Sequence, residues 1–164
     1  MATIGKNLSS YDSNELPDGA RYKVGIVVSE WNREFTKAMM EGAKEVLLAS
    51  GMPEESIAVK WVPGSYELPL GAQMMLESDN LQLDGVIAIG SVIRGETAHF
   101  DYVCSAASSG IMDVGLKTGK PVSFCVLTDD NEDQTRARSG GEHGNKGTEA
   151  AVVVLKMLAL GSEL

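Results

Sequence analysis

Five side chains with strong chemical character stand in short connectors of the sequence: Trp31, Tyr66, Glu67, Arg94 and His99. Trp31 follows a buried apolar run and is flanked by Glu30 and Asn32, which places it at a surface or cleft. There it either stacks on a flat ring or packs over a sheet edge. His99 opens a long helical pattern, where the helix dipole favours a neutral imidazole. A neutral imidazole accepts and returns protons near neutral pH, although the same position also suits a solvated cap. Glu96 and Thr97 stand just before it, so backbone N–H groups at the helix start can hold an anion such as phosphate. Arg138 and Arg136 are equal candidates to complete that site on spacing alone. Glu67 either accepts N–H bonds from a polar heterocycle or merely opens its helix. Phe124 lies mid-strand and reads as core, as does Trp61. The bare residues describe a cleft for a flat polar ring and a phosphate.

The elements around these residues alternate. Lys23-Val24-Gly25-Ile26-Val27-Val28 is a continuous apolar, β-branched run, the pattern of a strand buried on both faces. A helical stripe follows over residues 35–50, with Phe35, Met39, Ala43, Val46 and Leu47 on one side, and Gly51-Met52-Pro53 stops it. Further strands are expected over residues 56–62, 84–90 and 121–127, and helices over 68–77, 98–118 and 148–160, with a short helical turn over 131–138. Gly144-Asn145-Lys146-Gly147 superficially suggests a phosphate loop, but no strand leads directly into it, so a turn and helix entry is the better reading. Apolar strands alternating with helices give an α/β, three-layer sandwich around a parallel sheet. Ligands of such sheets sit beyond the carboxyl ends of the strands, which is where Trp31, Ser65, Tyr66, Glu67, Ser91, Val92, Ile93 and His99 fall. Residues 1–20 are polar; residues 3–8 have the makings of a short strand without a local partner.

Composition narrows the function. The chain has 164 residues and a formal net charge of −9, with 43% hydrophobic and 23% charged residues, which fits one globular domain and argues against disorder. An acidic bulk surface is unsuited to a nucleic-acid backbone or an anionic membrane. No apolar stretch approaches the roughly 20 residues of a membrane span. The two cysteines, Cys104 and Cys125, form no disulfide framework and read as reduced core thiols of a cytoplasmic protein. Two histidines without a Cys-x-x-Cys make a metal site unexpected. Dinucleotide-binding, P-loop and nucleophile-elbow fingerprints are missing.

Several blocks together resemble the lumazine synthase family of riboflavin biosynthesis. They are Trp61-Val62-Pro63-Gly64-Ser65-Tyr66-Glu67-Leu68-Pro69, Gly90-Ser91-Val92-Ile93-Arg94-Gly95-Glu96-Thr97-Ala98-His99-Phe100, and Gly144-Asn145-Lys146-Gly147. The Gly25-Ile26-Val27-Val28 strand leading to Trp31-Asn32 matches as well, so the likeness runs in register from about residue 22 to 160. The resemblance implies a four-stranded parallel sheet in flavodoxin-like order. It also implies condensation of 5-amino-6-(D-ribitylamino)uracil with 3,4-dihydroxy-2-butanone 4-phosphate to 6,7-dimethyl-8-ribityllumazine, with release of phosphate and water and without cofactor or metal. By matching position, Trp31 stacks on the pyrimidine, while Asn32, Ser65, Tyr66, Glu67, Ser91, Val92 and Ile93 line the ring and ribityl pocket. Glu96 and Thr97 bind phosphate, and His99 transfers protons. Phe124 and Arg138 match residues that a neighbouring subunit contributes, Arg138 to the phosphate; this favours Arg138 over Arg136 and moves Phe124 from core to interface.

The same resemblance implies a homo-oligomer built from pentamers, with residues 1–20 as an arm whose strand joins a neighbour's sheet and residues 21–164 as the synthase domain. The short segment from Arg138 to Gly144 favours a 60-subunit shell over a lone pentamer, and riboflavin synthase is a further partner the family admits. In one respect the chain departs from the pattern: many members carry Lys where this chain has Glu142, followed by His143, which either leaves more of the phosphate binding to Arg138 or lets His143 substitute. A non-catalytic lumazine or flavin carrier, or an inactive shell protein, is the competing reading; His99 beside Glu96-Thr97 favours the enzyme, because a carrier needs no proton shuttle.

Overall fold

The computed structural model describes residue 7 and residues 9–164. The strand expected over residues 3–8, and with it the pairing of the arm, therefore lies outside the described residues, Asn7 excepted. The chain runs β1 (Val24–Ser29), α1 (Arg33–Ala49), β2 (Ile57–Val62), α2 (Leu68–Leu76), β3 (Gly85–Ile93), α3 (His99–Thr118), β4 (Val122–Asp129), α4 (Glu132–Arg138), β5 (Ser139–Gly141), β6 (Gly144–Asn145) and α5 (Lys146–Glu163). The main sheet is parallel throughout, in the order β2-β1-β3-β4. This is the expected four-stranded α/β sandwich.

Side-chain alternation along β1, β3 and β4 builds both cores. Ile26 and Val28 of β1, Ile87 and Ile89 of β3, and Cys125 and Leu127 of β4 join Met39, Ala43 and Leu47 of α1 and Val154 and Leu155 of α5. Val27, Val86, Ala88 and Val126 point the other way, onto Leu68 and Ala72 of α2 and Ile111 and Val114 of α3. Neither central strand has a polar face, because helices cover both sides. The first helix ends where Gly51 turns the backbone to φ +88°. No helix among the described residues is long and apolar enough to cross a membrane.

Three expectations need correction. Both β3 and β4 run further than their apolar cores: Ser91 pairs with Leu127, Val92 with Thr128 and Ile93 with Asp129. Ser91, Val92 and Ile93 are thus strand residues, held by ladder hydrogen bonds rather than by a loop. Cys104 is only half-buried, unlike Cys125, because α3 buries just Phe100, Ala107, Ile111 and Val114 in the single chain. Trp61 is half-buried on the edge strand β2, packed against the core while the Arg33 guanidinium covers its ring at 4.2 Å from the centroid.

The block Gly144-Asn145-Lys146-Gly147 is a helix entry. Asn145 caps α5 by accepting from the Gly147 N–H at 2.8 Å, and its Nδ2 donates to the Ala38 carbonyl at 2.8 Å. A Cβ on Gly147 would collide with the Met39 carbonyl oxygen, so this glycine lets α5 lie directly on the α1 backbone. Ahead of it, residues 139–145 are drawn into the β5–β6 hairpin, which periodicity did not signal.

Candidate active site

The carboxyl ends of β1, β2 and β3 open into a cleft of about 730 Å³. It brings together Trp31, Asn32, Ser65, Tyr66, Glu67, Ser91, Val92, Ile93 and His99, nine of the residues expected to serve one site. Two further residues line it: Gly64, and Val103, which lies one helical turn beyond His99 on the same face of α3. Sequence reasoning missed Val103; its i, i+4 relation to His99 is the signal that could have found it.

The turn after β1 is held so that its indole projects. Asn32 takes a left-handed backbone conformation, φ 55° and ψ 43°, which asparagine tolerates better than most residues. Its Nδ2 donates to the Ser91 carbonyl at 3.1 Å and to the Ser91 hydroxyl at 3.3 Å, bridging the ends of β1 and β3. Below the turn, the buried Thr36 hydroxyl donates to the Ser29 carbonyl at 2.9 Å. Trp31 is left 72% exposed and lines the cleft.

The β2–α2 connector supplies the polar groups. Gly64 sits close to both partners: a Cβ there would stand 3.1 Å from the Glu67 Oε2 and 3.5 Å from the Trp31 ring. Glu67 occupies the N-cap position of α2 yet makes no side-chain cap bond, and it has no ion pair among the described residues. Helix capping is therefore not what its carboxylate does. Ser65 is 5% exposed and its hydroxyl is a buried polar atom with no protein partner among the described residues. Such a group costs free energy unless something else satisfies it.

His99 is the first residue of α3 and is exposed on the cleft; its N–H donates to the Thr97 hydroxyl at 3.4 Å. Glu96 and Thr97 form the exposed turn immediately before it, next to the cleft rather than in its lining.

The remaining candidates lie elsewhere in the single chain. Phe124 is 40% exposed on edge strand β4, against a second, apolar cavity of about 980 Å³ between α3 and the end of α5. Its default reading as core is thus overturned: an edge strand has no neighbour to cover that face. Arg138 ends α4 and donates to the Gln134 carbonyl at 2.9 Å, with no carboxylate partner among the described residues. Arg136 is committed: it donates to Glu34 at 2.6 Å and to Glu132 at 2.8 Å, and lies 5.0 Å from the Phe35 ring centroid. Of the two arginines, Arg138 keeps its charge available.

The family model described as 6,7-dimethyl-8-ribityllumazine synthase matches residues 21–162. The chain belongs to that family. Among its relatives, a protein of Cytophaga hutchinsonii named 6,7-dimethyl-8-ribityllumazine synthase is 53% identical over 159 residues, 97% of this chain and 98% of that one. One of the same name from Christiangramia forsetii is 52% identical over 161 residues, 98% of this chain and 95% of the relative. A third, from Parabacteroides distasonis, is 48% identical over 158 residues, covering 96% and 98% of the two chains. Within this lumazine synthase family chain, the matched span holds both the cleft at the strand ends and the separated pair Phe124 and Arg138.

Proposed function

We propose that the cleft condenses 5-amino-6-(D-ribitylamino)uracil with 3,4-dihydroxy-2-butanone 4-phosphate to give 6,7-dimethyl-8-ribityllumazine, the reaction of the family. The supporting observation is the shared cleft of Trp31, Glu67 and His99: an exposed indole, an uncommitted carboxylate and an exposed histidine at one helix start. In this reading the pyrimidine stacks on Trp31, and Glu67 and the Ser65 hydroxyl accept or donate to its polar edge. Asn32, Tyr66, Ser91, Val92 and Ile93 shape the pocket for the ring and ribityl chain. Glu96 and Thr97 offer their backbone N–H groups to the phosphate, which the positive end of α3 favours.

The chemistry asks for proximity and proton movement. The uracil amine attacks the ketone to form a Schiff base with loss of one water, and phosphate leaves to give an enol that tautomerises to a carbonyl. The ribityl-bearing amine then adds to that carbonyl carbon and closes the ring with loss of a second water. Holding the two substrates together supplies most of the entropy that a bimolecular condensation must otherwise lose. His99 takes and returns protons at the reacting nitrogen and carbon. Charge on the departing phosphate is met by the α3 start and by Arg138 of a neighbouring subunit.

Phe124 and Arg138 serve a neighbour's cleft in this proposal, which makes the oligomer a requirement of catalysis. Separation of both residues from the cleft in one chain supports it, as do the exposed apolar side chains Tyr102, Met112 and Leu116 on α3. The proposed assembly is a pentamer with residues 1–20 as the arm and 21–164 as the synthase domain. A 60-subunit shell, with riboflavin synthase as a partner, extends it. The β5–β6 hairpin takes up the segment after Arg138 and leaves no insertion there, which supports the shell. Glu142 is exposed in that hairpin's turn, with its carboxylate 3.5 Å from His143 Nε2, so beside the α3 start the phosphate has Arg138, or His143 in place of the Lys, as its cationic partner. The cytoplasm is the proposed compartment, where the free thiols Cys104 and Cys125 stay reduced.

The test is lumazine formation from the two substrates, followed by absorbance and fluorescence, for the wild type, His99→Ala and Arg138→Ala. Product well above the uncatalysed background that falls in both variants supports the assignment. Background turnover by a well-folded oligomer that still binds lumazine would instead indicate a carrier.

A further inference from the structure

The turn that carries His99 has almost no packing of its own. Residues 94–99 are all exposed, and a Cβ on Gly95 would meet nothing within 4 Å. Arg94 grips both flanks of that turn. On the β4 side its backbone N–H donates to the Asp129 carbonyl at 2.9 Å and its Nε donates to Asp130 Oδ1 at 3.0 Å. On the α3 side its guanidinium lies 4.0 Å from the centroid of the Phe100 ring, and Nη1 donates to Asp101 Oδ1 at 3.2 Å. Phe100 and Asp101 are the two residues that follow His99, and Phe100 is itself only 7% exposed. One planar guanidinium thus uses its face and both edges at once, which a lysine ammonium cannot do.

We infer that Arg94 is a positioning residue for the reaction: it sets where His99 and the Glu96–Thr97 backbone stand relative to the ring cleft. The inference rests on the proposed roles of His99 and of the Glu96–Thr97 turn. Both ion pairs are solvent-exposed, and such pairs add little to stability. Losing them therefore moves the turn more than it unfolds the chain. The ring platform of Trp31, Ser65 and Glu67 is built on other connectors and stays in place.

The experiment is steady-state kinetics on the intact oligomer for wild type, Arg94→Met, Arg94→Lys, Asp130→Asn, Asp101→Asn and His99→Ala. For Arg94→Met, kcat falls roughly tenfold and KM for the butanone phosphate rises about fivefold, while KM for the ribitylaminouracil stays within about twofold. Arg94→Lys recovers part of the loss, and each carboxamide variant gives a smaller change in the same direction. Wild-type constants in Arg94→Met overturn the inference. So does a fall in kcat that matches lost folded protein with both KM values unchanged. If Arg94→Met fails to assemble, the two carboxamide variants decide: an unchanged kcat and unchanged KM values in both overturn it. His99→Ala separates the two levels, since full activity there defeats the reading of the site whatever Arg94 does.

Discussion

The side chain of Asn32 and the main chain of Ser91 are hydrogen-bonded across the carboxyl ends of β1 and β3, at 3.1 Å. This one amide joins the turn that presents Trp31 to the strand whose last residues line the cleft, and it does so from a left-handed backbone. Positive φ at a non-glycine residue beside a cleft is strain that the surrounding structure must hold in place.

Asn32→Ala removes the bridge while leaving the unfavourable backbone. The expected cost is about 1–2 kcal/mol of folding stability, from the lost hydrogen bond and the poorer tolerance of the left-handed conformation. Denaturant melting measures it. With Trp31 less firmly held, KM for the ribitylaminouracil rises and that for the butanone phosphate does not.

Ser65→Ala separates a ligand-facing hydroxyl from a structural one. The hydroxyl is buried without a protein partner among the described residues, so removing it leaves stability of the free protein within about 0.5 kcal/mol or raises it slightly. Affinity for the ribitylaminouracil falls about 5- to 10-fold, the worth of a hydrogen bond made in the complex. Calorimetric titration beside thermal melting reads both.

Gly147→Ala places a methyl group against the Met39 carbonyl. Because α1 and α5 pack backbone to backbone at that point, the helices must part, at a cost of about 2–3 kcal/mol or more. Thermal unfolding shows the loss, and Gly161→Ala, a helical position of α5 where a Cβ meets nothing within 4 Å, serves as the control, unchanged or slightly more stable.

Burial pushes the Cys125 thiol up from 9.0 to about 12. The folded state thus keeps a proton that the unfolded chain gives up first. This group's stabilising effect is whole below about pH 9 and is lost as pH rises from there towards 12. Cys125→Ala flattens that part of the stability–pH curve. Thiol reagents modify half-buried Cys104 first, although its partial burial and then Asp101 also raise its pKa.

Much of this architecture is legible in the sequence because local and tertiary signals agree. The run Val24 to Val28 is buried throughout, and Gly51 ends α1 where its positive φ requires. Where the signals diverge, tertiary pairing decides. Thr128 and Asp129 look like loop residues, yet they extend β4 because β3 offers partners in register. Ser139 to Asn145 forms a hairpin whose only local cues are glycines, with Gly140 at φ 121° and Gly144 at φ 84°.

The site divides the same way. Trp31, Glu67 and His99 stand beside the ends of apolar runs, so the general rule for parallel sheets locates them. The choice between Arg136 and Arg138 is not local, since it turns on Glu34, 102 residues away from Arg136. Phe124 could not be placed by pattern alone: mid-strand apolar residues are buried only if another strand or helix covers them, and β4 is an edge.

The proposal that each site combines one subunit's cleft with its neighbour's Arg138 is tested most directly by mixing two impaired variants. Inactive His99→Ala and Arg138→Ala proteins are unfolded together in equal amounts, reassembled, and assayed for lumazine formation. Random mixing places an intact His99 next to a neighbour's intact Arg138 in about a quarter of the sites of a cyclic oligomer. The account predicts recovery to about that fraction of wild-type activity, with each variant reassembled alone remaining inactive. Mixed oligomers, verified by mass, that show no more activity than the separate variants would contradict it.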